Sequence, residues 1–124
     1  MPMGVKELVA EARKHVSSVS PAEAKEKADL ILDVREPPEL EANGRIAGAL
    51  NVPRGVLETR ADPESSVAEA RLTALRGSGS VHVLCGSGGR AAMAAHTLSR
   101  MGYDAAVIEG GIAGLREAGL PVEG

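Results

Sequence analysis

The sequence predicts an α/β fold, with helices on both faces of a mostly parallel sheet. Three short, continuous apolar runs, at 30–34, 81–85 and 105–109, have the composition of strands that are buried on both faces. Between the last two runs, apolar residues recur at helical spacing over 90–101. Strand, loop, helix and strand in this order predict a right-handed crossover between parallel strands.

The N-terminal part of the chain contains two predicted helices. Apolar residues at helical spacing predict the first over 5–16. Ser20, followed by Pro21 and Glu23, has the pattern of a helix N-cap, so a second short helix is expected to run to about Ala28.

Two further elements complete the predicted fold. A short strand is expected at 49–52, and Gly102 is expected to end the long helix. The run 110–119 predicts a last helix, and the pair Gly110 and Gly111 favours a tight turn into it.

Length and composition limit the classes of function. The 124 residues match the size of one domain, which we assign to 1–124. A net charge of −3 argues against a general nucleic-acid or membrane binder. One Tyr and no Phe or Trp leave no aromatic platform for stacking bases.

The single cysteine excludes an internal disulfide, and three scattered histidines do not complete a metal cluster with it. We therefore expect no metal. The N-terminal stretch does not read as a secretory signal, and no apolar run has the length of a membrane span. A reducing, cytoplasmic setting is the expectation, because a lone thiol persists there.

Cys85 stands at the end of the second apolar run. The residues after it are Gly86, Ser87, Gly88, Gly89 and Arg90. Backbone N–H groups of a glycine loop, the positive end of the next helix and the guanidinium of Arg90 all favour thiolate over thiol. We predict a reactive, anion-binding thiol; the alternative is a buried structural cysteine.

Three segments together resemble the rhodanese family of sulfurtransferases. Residues 30–55 contain Asp-x-Arg-Glu and a variant of Gly-His-Ile-x-Gly-Ala-x-Asn-x-Pro. Residues 81–91, VHVLCGSGGRA, look like the family's active-site strand and loop, and 107–123 look like its C-terminal signature. The resemblance spans nearly the whole chain and implies a sheet of about five strands wrapped by helices.

The resemblance also implies a persulfide on Cys85. Its thiolate would take the outer sulfur of thiosulfate or a related donor, and cyanide or a thiol, including that of a thioredoxin-like protein, would accept it. The loop amides of 86–90 and Arg90 would hold the negative sulfur and the donor. No cofactor is needed.

Other activities stay open. A persulfide carrier in a sulfur relay needs the same cysteine. Phosphatase and arsenate-reductase relatives of this fold have a loop one residue longer than the four residues between Cys85 and Arg90, so the count favours sulfur transfer. An inactive interaction module of the family usually lacks the cysteine.

Asp33 and Arg35 end the first apolar run, at the sheet edge expected to hold Cys85. Asp33 would orient the loop and Arg35 would add positive field. The alternative is a structural ion-pair network, with Glu36 or Glu109 as further members.

Departures from the family pattern are Arg45 for a His, Ala91 for a Ser or Thr, and Leu115 for a Trp. Ala91 removes a hydroxyl near the start of the helix, while the other two are expected to concern the surface and packing. Strand alternation places His82 on the face opposite Cys85, so it is not expected to be a general base. His96 is expected to be exposed.

Overall fold

The computed structural model describes residues 2–84 and 89–123. Five parallel strands form the central sheet: β1 (Ser17–Val19), β2 (Leu30–Asp33), β4 (Leu50–Asn51), β5 (Ser80–Leu84) and β6 (Asp104–Ile108). Their spatial order is β1-β6-β5-β2-β4. A short antiparallel pair consists of β3 (Arg45–Ile46) and β7 (Val122–Glu123). The predicted parallel sheet of about five strands is confirmed.

Seven α-helices surround the sheet in the described part of the chain. They are α1 (Val5–Arg13), α2 (Pro21–Lys27), α3 (Pro37–Asn43), α4 (Leu57–Ala61), α5 (Ala70–Thr73), α6 (Gly89–Arg100) and α7 (Gly111–Glu117). Apolar residues of α1, α4, α5 and α6 share one core cluster, and those of α2 and α7 share a second. Helices therefore cover both faces of the sheet, as the sequence predicts.

The central strands explain the continuous apolar runs. In β5, Val81 and Val83 belong to the core cluster on one face, whereas Leu84 belongs to the cluster on the other. The same holds in β6, where Val107 and Ile108 face opposite clusters. A strand buried on both faces has no exposed side for polar residues to occupy.

The N-terminal helix is shorter than predicted. The sequence predicts a helix over 5–16, but α1 ends at Arg13, and β1 begins at Ser17. This edge strand was not predicted, since two of its three residues are exposed and it gives no apolar run. The N-cap of α2 is as predicted, because Ser20 Oγ accepts a hydrogen bond of 3.1 Å from Glu23 N.

Glycines end and begin elements where expected. Gly102 lies just beyond α6 with a φ of +97°, Gly110 precedes α7 with a φ of +84°, and Gly111 begins α7 with a φ of +58°. Such left-handed conformations favour glycine because it has no Cβ. In residues 2–84 and 89–123, no helix combines the length and apolar character needed to cross a membrane.

The parallel arrangement brings the carboxyl ends of the strands to one edge of the sheet. Asp33, the last residue of β2, is level with Leu84 of β5 on one side and with Asn51 of β4 on the other. Ligands of open α/β sheets bind beyond this edge. The end of β5 and the segment that leaves β2 therefore lie where a ligand site of this fold is expected.

Candidate functional site

An ion pair joins the two helices that begin beyond this edge. Arg90, in the first turn of α6, donates from Nη1 to Glu39 Oε1 at 2.6 Å and from Nη2 to Glu39 Oε2 at 2.8 Å. Two parallel N–H···O bonds fix the plane of the guanidinium as well as its position. Arg90, the cation that the sequence analysis places after the glycine loop, is therefore oriented by the Glu39 carboxylate of α3.

Glu39 is itself held by the start of its helix. The backbone N–H of Glu36 donates to Glu39 Oε1 at 2.9 Å, as in a capping box. The hydrogen bonds from Arg90 and then from Glu36 lower the pKa of Glu39 from 4.5 to about 2. Glu39 is therefore ionised at neutral pH, and its negative charge lies directly beside the positive charge of Arg90.

A second ion pair lies buried below the segment that leaves β2. Arg35 Nη2 lies 2.7 Å from Asp33 Oδ2, and its Nε lies 3.0 Å from Asp33 Oδ1. The two side chains are 2% and 1% exposed. Arg35 also donates from Nη2 to the Gly44 carbonyl at 3.0 Å, and its backbone N–H donates to Asp33 Oδ1 at 3.1 Å.

These contacts fasten the chain between β2 and α3. Asn51 Nδ2 donates to the carbonyls of Asp33 and Arg35, at 2.9 Å each. Val34 N donates to the Leu84 carbonyl at 3.2 Å, so the segment is also tied to the end of β5. The Asp33–Arg35 pair is thus a structural clamp at the base of the edge, with each residue as the other's partner rather than Glu36 or Glu109.

The predicted site residues fall into two groups. Cys85, Gly86, Ser87 and Gly88 lie outside the described residues. Gly89 begins α6, and Arg90 follows in its first turn. The structure therefore places the end of β5, the start of α6 and the Glu39–Arg90 pair at one edge of the sheet.

The three departures from the family pattern take ordinary structural positions. Arg45 is exposed at the start of β3, as expected of a surface change. Leu115 is fully buried in the core cluster of α2 and α7, so its effect is on packing. Ala91 is fully buried as well.

The histidines differ from each other in surroundings. His82 is buried, and burial lowers its pKa, which favours the neutral imidazole. Its Nδ1 has no hydrogen-bond partner within the described ranges. His96 was expected to be exposed, but it is half-buried and stacks on His15 with ring centroids 4.7 Å apart. The α1–α6 contact, which sequence periodicity does not reveal, covers it.

Sequence reasoning missed Glu39 and Asn51. A signal for Glu39 was present, because Glu36, two prolines and Glu39 form the pattern of an N-cap followed by an acidic third residue. No comparable local signal marks Asn51, whose partners lie 16 and 18 residues away in the chain.

Comparisons with known proteins agree with this architecture. The family model for the rhodanese-like domain matches residues 20–118. A search of the curated proteins gives no match. Among solved structures, a protein from Rhodopseudomonas palustris described as of unknown function and a possible tyrosine phosphatase is 33% identical, with a TM-score of 0.85. That alignment covers 99% of this chain and 96% of that protein.

Two other solved structures are more distant. A rhodanese-related protein from Thermoplasma volcanium is 32% identical, with a TM-score of 0.63, over 86% of this chain and 96% of its own. A probable thiosulfate sulfurtransferase is 28% identical, with a TM-score of 0.63, over 90% of this chain and 49% of its own. The family model covers most of the chain, and the sheet order, the two helical layers and these neighbours agree with it, so the chain belongs to the rhodanese-like domain family.

Proposed function

We propose that the chain is a sulfurtransferase that moves a sulfane sulfur through a persulfide on Cys85. The observation that carries the proposal is the rhodanese-like match together with a cysteine that directly follows β5 and an arginine in the first turn of α6. Thiosulfate or a related anion is the proposed donor, and cyanide or a thiol, including that of a thioredoxin-like protein, is the proposed acceptor. A reducing, cytoplasmic setting suits a working thiol.

The proposed reaction is two displacements at sulfur. The Cys85 thiolate attacks the outer sulfur of thiosulfate, the S–S bond breaks, and sulfite leaves with the bonding electrons. The acceptor thiolate or cyanide then attacks the outer sulfur of the persulfide, and Cys85 leaves as thiolate. Covalent catalysis of this kind replaces one difficult transfer by two easier ones.

Arg90 follows the proposed active-site loop in the chain, and its guanidinium carries a permanent positive charge. Its guanidinium is held in a fixed orientation by Glu39, at 2.6 and 2.8 Å, and the Glu39 carboxylate offsets part of its charge. Preorganised charge lowers the barrier for a reaction in which negative charge moves between sulfurs. Glu39 is thus a positioning residue, and the Asp33–Arg35 clamp holds the segment that leads to it.

The test is the intact mass of the chain after incubation with thiosulfate. We expect a gain of one sulfur atom that cyanide or a thiol reverses and that Cys85→Ser abolishes. Thiocyanate formation under turnover conditions would then separate an enzyme from a carrier that is loaded but does not turn over. No mass gain with any sulfane-sulfur donor, on a chain whose thiol is shown to be free, would refute the proposal.

A phosphatase is the second candidate, because the Rhodopseudomonas palustris neighbour is described as a possible tyrosine phosphatase. The four residues between Cys85 and Arg90 make a loop one residue shorter than the phosphatase loop of this fold. Hydrolysis of an aryl phosphate that Cys85→Ser abolishes, without persulfide formation, would favour the phosphatase over sulfur transfer.

A further inference from the structure

A hollow opens along the seam between α1 and the second half of α6. Its volume is about 250 Å³, and none of its described lining residues belongs to the proposed reaction site. Its apolar lining is formed by Leu8 and Ala12 of α1 and by Met93 of α6. The rest of the lining is polar or charged and consists of Glu11, Arg54, His96, Thr97 and Arg100.

One wall of the hollow lies outside the family pattern. The helix α1 precedes the segment 20–118 that the family model matches, and both Leu8 and Glu11 belong to it. The hollow therefore depends on an element that the family pattern does not include, and the proposed sulfur transfer makes no use of it.

The polar walls are held in place by contacts within the protein. Arg54 Nη1 donates to Glu58 Oε1 at 3.1 Å and to Oε2 at 3.2 Å, and its Nη2 donates to Thr97 Oγ1 at 3.3 Å. His96 stacks on His15 with the two ring planes 9° apart, so the plane of its ring is restrained as well. Groups that are already restrained lose little conformational entropy when a ligand binds.

The charged groups around the hollow leave one cation without a counter-ion. Arg54 is paired with Glu58. The carboxylate of Glu11 lies 3.7 Å from the ammonium of Lys14. Within 2–84 and 89–123, the Arg100 guanidinium forms no hydrogen bond and no ion pair. The lining therefore has one positive charge to spare, which matches a ligand with a single negative charge.

The hydrogen-bond donors of the hollow suit a carboxylate. Arg100 lies one turn beyond Thr97 on α6, so the two side chains are neighbours on one face of the helix. The Thr97 hydroxyl accepts from Arg54, while its own proton makes no hydrogen bond with a described residue. A guanidinium fork beside a hydroxyl donor can bind both oxygens of a carboxylate.

We propose that this hollow binds a small organic carboxylate that has an apolar group and a single negative charge. Arg100 and the Thr97 hydroxyl hold the carboxylate, and the apolar group lies against Leu8 and Met93. The ligand thereby bridges α1 and α6. The inference goes beyond the proposed function, because it uses no residue of the proposed sulfur transfer.

Benzoate, acetate and benzamide test the two parts of the ligand separately. Acetate keeps the charge without the apolar ring, and benzamide keeps the ring without the charge. Binding is followed by NMR at the methyl groups of Leu8 and Met93. We expect saturable shifts with benzoate in the millimolar range, and binding at least about fivefold weaker for acetate and for benzamide. No saturable shift with benzoate up to about 50 mM would overturn the inference, as would equal binding of benzamide.

Arg100→Gln and Arg76→Gln form a matched pair of variants. Each removes one positive charge from an exposed position, but only Arg100 lines the hollow. We expect Arg100→Gln to weaken benzoate binding at least about fivefold and Arg76→Gln to leave it within about twofold. Far-UV circular dichroism checks that both variants fold. Equal losses in the two variants would show only a general attraction of anions and would overturn the site.

Thiosulfate and Cys85→Ser distinguish the hollow from the proposed reaction site. We expect Cys85→Ser to bind benzoate as the wild type does, and thiosulfate to leave this binding unchanged. Displacement of benzoate by thiosulfate would assign the probe to the donor site and overturn the inference. Benzoate binding with the expected variant pattern, in a chain that forms no persulfide, would support the hollow and refute only the proposed function.

Discussion

Replacing Asp33 by asparagine would leave the Arg35 guanidinium inside the protein without its counter-ion. Both side chains are almost fully buried, at 1% and 2% exposure. Asparagine keeps the size of aspartate and one of its two acceptor oxygens. The substitution removes the negative charge. It also weakens the contact of 2.7 Å between Arg35 Nη2 and Asp33 Oδ2, which depends on that charge.

The expected loss follows from how deeply the pair is buried. Removing one partner of a buried ion pair lowers the free energy of unfolding by about 3–5 kcal/mol, because the remaining charge is uncompensated. Arg35 keeps its hydrogen bond to the Gly44 carbonyl, at 3.0 Å, and one oxygen of residue 33. We therefore expect the lower end, about 3 kcal/mol, which is a large part of the roughly 5–15 kcal/mol of an ordinary domain.

Urea unfolding at pH 7, followed by far-UV circular dichroism, measures this loss. The chain has no tryptophan and one tyrosine, so fluorescence would be a weak signal. Asp104→Asn makes the same chemical change at an exposed position and should change the free energy of unfolding by less than about 0.5 kcal/mol. A loss below about 1 kcal/mol for Asp33→Asn would refute the reasoning that the pair is a buried clamp.

Three further outcomes are expected. Glu39→Gln should lower the free energy of unfolding by about 1 kcal/mol at pH 7, because the pair is a third exposed and screened by water. Since the pKa of Glu39 is lowered from 4.5 to about 2, this loss of unfolding free energy should be present above pH 4.5 and shrink as the pH falls toward 2. Exposed Glu41→Gln is the control, and equal unfolding midpoints for the two variants would contradict the prediction. Because burial lowers the pKa of His82, its imidazole takes up a proton more readily in the unfolded chain, so stability should fall as the pH drops below 6.5. Between pH 7.5 and 5.5, the thermal unfolding midpoint should decline less for His82→Gln than for the wild type. An equal decline in both proteins would exclude His82 as the cause. In urea unfolding, Gly44→Ala should lower the free energy of unfolding more than Gly48→Ala does. Both glycines have φ near +83°, but only at Gly44 would a Cβ lie 2.8 Å from a β7 side chain. Equal losses would show that the positive φ alone causes the effect and that this contact adds nothing.

The sequence predicts the elements that are buried on both faces and misses those that depend on a distant partner. The apolar runs at 30–34, 81–85 and 105–109 correspond to β2, β5 and β6 within one residue at each end. Their signal is local, because a strand between two helical layers must be apolar throughout. The edge strand β1 has no such signal, and it exists through its pairing with β6, which lies far along the chain.

The candidate site divides in the same way. A cysteine, a glycine-rich loop and an arginine stand together in the sequence, so Cys85 and Arg90 could be singled out from local spacing. The partner of Arg90 is Glu39, 51 residues earlier in the chain, and only the sheet order brings α3 beside α6. The Asp33–Arg35 pair is local in sequence, but its burial, which gives it structural weight, depends on the surrounding tertiary structure.

The strand order has a consequence for how the chain reaches its folded state. β1 and β2, the first two strands made, are separated in the sheet by β6 and β5, which come from the second half of the chain. At about 4.8 Å per strand, they lie roughly 14 Å apart in the folded sheet, so they do not pair with each other before β5 and β6 are made. A fragment that ends before β5 therefore has no continuous sheet, and high contact order makes folding slow. The sheet edge at which β5 ends is completed only when both halves of the chain are present, so two separately produced halves should form it only when they associate.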